Sequence, residues 1–62
     1  MPKTARQMEK IILEDGWVLI RQVGSHRQYR HPTKEGRVTI PFHAKDLTIK
    51  VEKSILKQAG LK

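Results

Sequence analysis

Apolar positions along the 62-residue chain change period twice. Ala5, Met8, Ile11 and Ile12 recur at three- and four-residue spacing with charged residues between them, the stripe of an amphipathic helix. Thr4 and Gln7 stand three apart at its start, a capping-box pattern. Asp15-Gly16 closes it, glycine being the usual residue just past a helix C-terminus. This predicts a helix over residues 5–14. Trp17-Val18-Leu19-Ile20-Arg21-Gln22-Val23 is β-branched and aromatic and predicts a first strand. Its apolar residues occupy both parities, so the pattern leaves its buried face undecided. Gly24-Ser25 is a turn signal, and His26 to His31 predicts a second strand, antiparallel to the first because the connection is so short. After a polar loop, Arg37-Val38-Thr39-Ile40 alternates and predicts a third strand with Val38 and Ile40 inward. Pro41 is expected to end it, lacking an N–H for the ladder. From about Thr48, the residues Val51, Ile55, Leu56 and Ala59 form a second helical stripe, with Lys50, Lys53 and Lys57 opposite. Gly60 marks its stop, and Leu61 is placed to fold back on the last turn.

The element order is helix, three-stranded meander, helix. Each helix must bury one face, and the economical solution packs both on one side of the sheet and leaves the other side open. The expected class is α+β, in the α-β-β-β-α layout of double-stranded-RNA-binding domains, as one domain over residues 1–62. A chain this short buries only about 60% of its unfolded surface. It has no cysteine to staple it, so a bound partner would add stability by mass action.

Charge changes the picture. The net charge is +7, which points to nucleic acid, an acidic protein partner, or both. Residues 1–20 balance their bases and acids. The excess begins with Arg21, Arg27, Arg30, Lys34 and Arg37, set against Glu35 alone, and continues with the lysines of the last third. No apolar run reaches the roughly 20 residues of a membrane span, and the N-terminus lacks a signal-peptide core. The expectation is a cytoplasmic protein with no membrane association.

Candidate chemistry centres on Gly24-Ser25-His26. Imidazole gives and takes protons near neutral pH, and arginine is the preferred planar phosphate ligand. Strand parity sends His26, Gln28 and Arg30 to one face and Tyr29 to the other. With Tyr29 under the helices, His26 reaches the open face. Gly24 allows close backbone approach, and Ser25 offers a hydroxyl and an N–H beside the imidazole. An ordinary surface histidine is the plainer alternative. If RNA is the substrate, the imidazole takes the 2′-hydroxyl proton, the oxygen attacks the adjacent phosphate, and cations stabilise the developing charge. Arg21, Arg27, Arg30 and Arg37 are the candidate RNA contacts. His26, His31 and His43 show no metal-ligand spacing, and no carboxylate cluster accompanies them, so neither metal nor cofactor is expected. His31 shares parity with Tyr29 and is expected part-buried at a strand end. His43 is expected to hold a backbone group after the third strand. Trp17 and Phe42 could stack on bases, but core anchors suit so small a domain better. The lysine face of the second helix either follows a phosphate backbone or is simply solvated.

Gly24-Ser25-His26-x-x-Tyr29-x-His31-Pro32, Val38-Thr39-Ile40-Pro41-Phe42-His43 and Ser54-Ile55-Leu56-Lys57-Gln58-Ala59-Gly60-Leu61 together resemble the HicA family of small toxins of type II toxin–antitoxin pairs. The likeness covers nearly the whole chain from Asp15-Gly16-Trp17. It implies a double-stranded-RNA-binding-like fold and an mRNA interferase that cuts single-stranded messenger RNA without the ribosome. It also implies His26 as the catalytic histidine and a HicB antitoxin that covers the active surface. Where many members carry Gly-Thr at the start of the last helix, this chain has Lys50-Val51, so its cap must come from elsewhere, with Thr48 the candidate. Two other classes stay open on the residues alone: a non-catalytic RNA-binding module of the same fold, and a protein-interaction domain whose basic surface docks an acidic partner.

Overall fold

The computed structural model describes residues 3–42 and 47–61. Helix α1 spans Ala5–Glu14, strands β1, β2 and β3 span Val18–Val23, His26–Arg30 and Val38–Pro41, and helix α2 spans Ile49–Gln58. The strands form one antiparallel sheet in the order β1-β2-β3. The expected α+β meander with two helices is the observed one.

The helix ends are built as local chemistry requires. The Thr4 hydroxyl accepts from the Gln7 N–H at 3.2 Å, and the Gln7 side chain accepts from the Thr4 N–H at 2.8 Å. The α2 cap is indeed Thr48, whose hydroxyl accepts from the Val51 N–H at 3.2 Å. Both helices end in the same double closure. In α1, Gly16 N–H donates to Leu13 and Trp17 N–H to Ile12. In α2, Gly60 N–H donates to Lys57 and Leu61 N–H to Leu56. Gly16 takes φ +106° and Gly60 φ +71°, the left-handed region that a side chain disfavours. Gly16 also has no room for a side chain, because a Cβ there would meet His31 Nε2 at 2.8 Å.

Met8, Ile12, Trp17, Tyr29, Val38, Ile40 and Ile55 fill the core, with Ala5, Leu47 and Ala59 at its margin. Both helices make their main sheet contacts with β3. They therefore cover the β2–β3 side, and β1 overhangs. This answers the parity question that the sequence left undecided. Every residue of β1 is exposed, and the strand is tied in mainly by its ladder to β2, with a bulge between Leu19 and Arg21. Trp17, expected as the first strand residue, instead completes the α1 closure and is buried.

Two further boundaries shift. His31 lies just beyond β2, and β3 runs one residue later than expected, including Pro41, which pairs with His26. A proline is tolerated there because β3 is an edge strand.

Long-range polar ties close the fold at both ends. The buried Glu52 carboxylate accepts from the Lys3 N–H at 2.8 Å, and Leu47 N–H donates to the Lys3 carbonyl at 3.0 Å. At the opposite end Lys34 Nζ lies 2.6 Å from Asp15 Oδ2 and 3.1 Å from the Ala59 carbonyl. One ammonium thus joins the C-termini of both helices, where the macrodipoles favour a cation. The hydrogen bond from Lys34 holds the Asp15 carboxyl below its ordinary range. A depressed carboxyl contributes stability above its unfolded pKa, about 3.9, and loses it as pH falls through the lower folded value. Lys34→Met is expected to move the Asp15 titration back up toward the ordinary value. Carboxyl NMR titration against the unaltered chain reads the shift.

Candidate active site

The turn between β1 and β2 has two residues, Gly24 and Ser25, joining the paired Val23 and His26. Gly24 takes φ +58° while no non-glycine residue among the described residues has positive φ, the pattern of a type II′ hairpin, whose twist matches the flanking strands. A Cβ on Gly24 would meet nothing within 4 Å, so the glycine answers to the backbone angle rather than to crowding. The corner is held from two sides. Phe42 N–H donates to the Ser25 carbonyl, and Gln22 Nε2 donates to the Gly24 carbonyl at 3.0 Å. His26, exposed, starts the central strand immediately after this corner.

Paired residues of an antiparallel ladder share a face, so the register defines what surrounds His26. Val23 flanks it on β1 and Pro41 on β3. The next row of that face holds Gln28 between Arg21 and Thr39, and the row beyond holds Arg30 beside Val18. Arg37, just before β3, donates from Nη1 to Gln28 Oε1 at 3.0 Å. His26, Arg21, Arg30 and Arg37 are therefore gathered on the helix-free face of the sheet.

Arg27 is not with them. It shares parity with Tyr29, and its guanidinium lies on the helix side. Nη1 sits 2.9 Å from Glu9 Oε2, Nε donates to Gln22 Oε1 at 3.0 Å, and the group lies 4.1 Å from the Phe42 ring centroid. The Tyr29 hydroxyl donates to the same Glu9 oxygen at 2.6 Å. Burial first, and then this hydrogen bond, raise the Tyr29 phenol above its ordinary value, so it stays a donor. Glu9, Arg27, Gln22 and the Gly24 carbonyl form a continuous relay from α1 to the corner below His26.

The other singled-out residues have structural places. His31 stands edge-on to Trp17 at 5.2 Å between centroids. Its Nε2 lies 2.8 Å from the Asp15 carbonyl, which only accepts, and its Nδ1 receives the N–H groups of Thr33 and Lys34 at 3.1 Å each. The ring is thereby fixed with its proton on Nε2, as a brace between α1 and the loop after β2. Trp17 is a core anchor, and its buried Nε1 has no hydrogen-bond partner among the described residues. Phe42 packs against the core and carries Arg27. His43 lies outside the described residues. Among the described residues no three His, Cys, Asp or Glu side chains converge as metal ligands, and no helix is long and apolar enough to cross a membrane.

Glu9 and Gln22 carried no signal of a role in the sequence. Glu9 looks like any solvated residue of an amphipathic helix, and its partners lie 18 and 20 residues away. The only available signal was parity, since Arg27 falls with Tyr29 and needs an anion on the helix side.

Glu9→Ala is expected to lower the unfolding free energy by about 1–3 kcal/mol, the cost of leaving a buried donor unsatisfied. Chemical denaturation measures it, and Glu9→Gln, which restores an acceptor for Tyr29, is expected to recover part of the loss.

Comparison with known proteins follows the same lines. The family model described as HicA toxin of bacterial toxin-antitoxin matches residues 5–61. A chain from a "Toxin-Antitoxin complex from Streptococcus pneumoniae" is 34% identical, with a TM-score of 0.83 over 97% of this chain and 100% of that one. A search of curated proteins finds no match.

Proposed function

The chain belongs to the HicA toxin family of bacterial toxin–antitoxin systems, and we propose that within it this protein is a metal-independent endoribonuclease cutting single-stranded mRNA, with His26 as the catalytic residue. The observation that carries this reading is the placement of an exposed histidine at the start of the central strand, on a face that also holds Arg21, Arg30 and Arg37.

A phosphodiester strand laid on that face meets cations two residues along β2 from His26, a separation of about 7 Å at the rise of an extended strand. The neutral imidazole takes the proton of a 2′-hydroxyl at His26. The 2′-oxygen then bonds to the adjacent phosphorus, and the bond to the 5′-oxygen breaks. The 5′-oxygen departs with a proton taken from solvent water, and the imidazolium returns its own to solvent, leaving a 2′,3′-cyclic phosphate and a 5′-hydroxyl end. Guanidinium groups facing the phosphate stabilise the charge that develops on its free oxygens. Gly24 and Ser25 set the position of the imidazole. Arg27, drawn to the other side of the sheet by Glu9, supports the corner through Gln22 rather than meeting RNA directly. A HicB antitoxin in the bacterial cytoplasm inhibits the enzyme by covering this face.

His26→Ala is expected to reduce RNA cleavage by about 10²–10⁴-fold, the usual contribution of general acid–base catalysis, with folding unchanged. Cleavage is followed with a chelator present, and the product ends are identified. Full activity in the variant would overturn the assignment of His26, and a free 3′-hydroxyl end would exclude attack by the 2′-oxygen. Binding of RNA without cleavage by the unaltered chain would favour a non-catalytic RNA-binding module.

A further inference from the structure

The ribonuclease reading takes only Arg21 from β1 and leaves the strand's aliphatic side chains without a role. Val18, Leu19, Ile20 and Val23 are exposed by 56%, 41%, 47% and 51%, all within six consecutive residues. The register puts Val18 and Val23 on the His26 face and Leu19 on the Tyr29 face, so apolar surface wraps both sides of this edge, a pattern that marks an interaction site. RNA is a poor occupant, because aliphatic side chains supply neither charge nor a stacking ring.

The two edges of the sheet are not equivalent. On β3, the Thr39 N–H donates to Gln58 Oε1 at 3.1 Å, so α2 takes up part of that edge, and the strand ends in Pro41. On β1 the outer side has no backbone partner among the described residues. A long apolar edge pairs readily with another extended segment. Two features make it selective. The bulge between Leu19 and Arg21 breaks the flat register that indiscriminate edge-to-edge stacking needs. Arg21 and, across the ladder, Arg30 place cations beside the strip. A second copy of this chain brings its own net +7 and is repelled, whereas an acidic protein segment is attracted.

We propose that β1 is the docking strand for an extended segment of the cognate antitoxin, with apolar side chains against Val18, Leu19 and Ile20 and carboxylates facing Arg21 and Arg30. This rests on membership of the toxin family, whose related chain was solved in a toxin–antitoxin complex. A segment paired there lies two strand spacings from β2, about 10 Å. The aliphatic side chains anchor the antitoxin, and its carboxylates take Arg21 and Arg30 away from RNA.

The test titrates purified cognate antitoxin into this chain and into Ile20→Asp, with Ile20→Val as the conservative control. Ile20 is half-exposed, and the thermal midpoint of each variant checks folding. Ile20→Asp is expected to weaken antitoxin binding by about tenfold or more, as loss of an interface anchor does. Ile20→Val should bind normally, and RNA cleavage by either free variant should be unchanged. Unaltered affinity in Ile20→Asp overturns the proposal. Hydrogen exchange on the unaltered chain gives a readout independent of any variant. The amides of Val18–Val23 should gain protection when antitoxin is added. Protection of the Val18, Leu19 and Ile20 amides by RNA, or by raising the concentration of the chain alone, overturns the proposal in favour of a nucleic-acid or self-association edge. Failure of the unaltered chain to cleave RNA would sink the ribonuclease reading and leave the docking result standing.

Discussion

Burying Tyr29 constrains the whole central strand. Its ring lies beneath the helices and its hydroxyl reaches the Glu9 carboxylate at 2.6 Å, so β2 has no freedom to rotate or slip. A one-residue slip would expose the ring and strand the phenol. With Tyr29 inward, His26, Gln28 and Arg30 must face outward, and the ladder carries the same choice to Arg21 and Val23 on one side and to Thr39 and Pro41 on the other. The proposed active surface is therefore a consequence of core packing. The same carboxylate that satisfies Tyr29 also draws Arg27 to the helix side, where it bonds Gln22 beneath the Gly24-Ser25 corner.

A chain of 62 residues cannot cover a three-stranded sheet on both sides with two ten-residue helices. What they cover is the β2–β3 side of one face. The uncovered surface grades chemically: the open face over β2 collects histidine and arginines, and towards β1 exposed valine, leucine and isoleucine join Arg21. The proposed ribonuclease and antitoxin-docking surfaces therefore adjoin, meeting where Val23 flanks His26. Polar ties hold the small frame together where apolar burial is thin. Glu52 clamps the entry to α1, and Lys34 locks the two helix ends.

Most of this frame was legible residue by residue. The capping pairs, the glycine closures, the helix spans and the turn all follow from interactions within a few positions, and each local pattern agreed with the others. Parity put His26 on the open face because Tyr29 was the single large apolar body of its strand. The same parity already placed Arg27 on the far side, but charge alone grouped it with its neighbours. The β1 segment, apolar at both parities, was unreadable because neither of its faces is buried.

From the sequence came the elements, their caps, their order and the outward direction of His26, since these depend on spacing along the chain and on backbone rules that act over a turn or a strand. Only the tertiary structure decided which arginines share the face of His26, that Glu9 and Glu52 are structural anions, and that β1 overhangs. Those outcomes depend on where the helices settle across the sheet and on pairs such as Glu9 with Tyr29 or Lys3 with Glu52, 20 and 49 residues apart. Contacts at such separations have no period in the sequence and exist only once the core has closed around them.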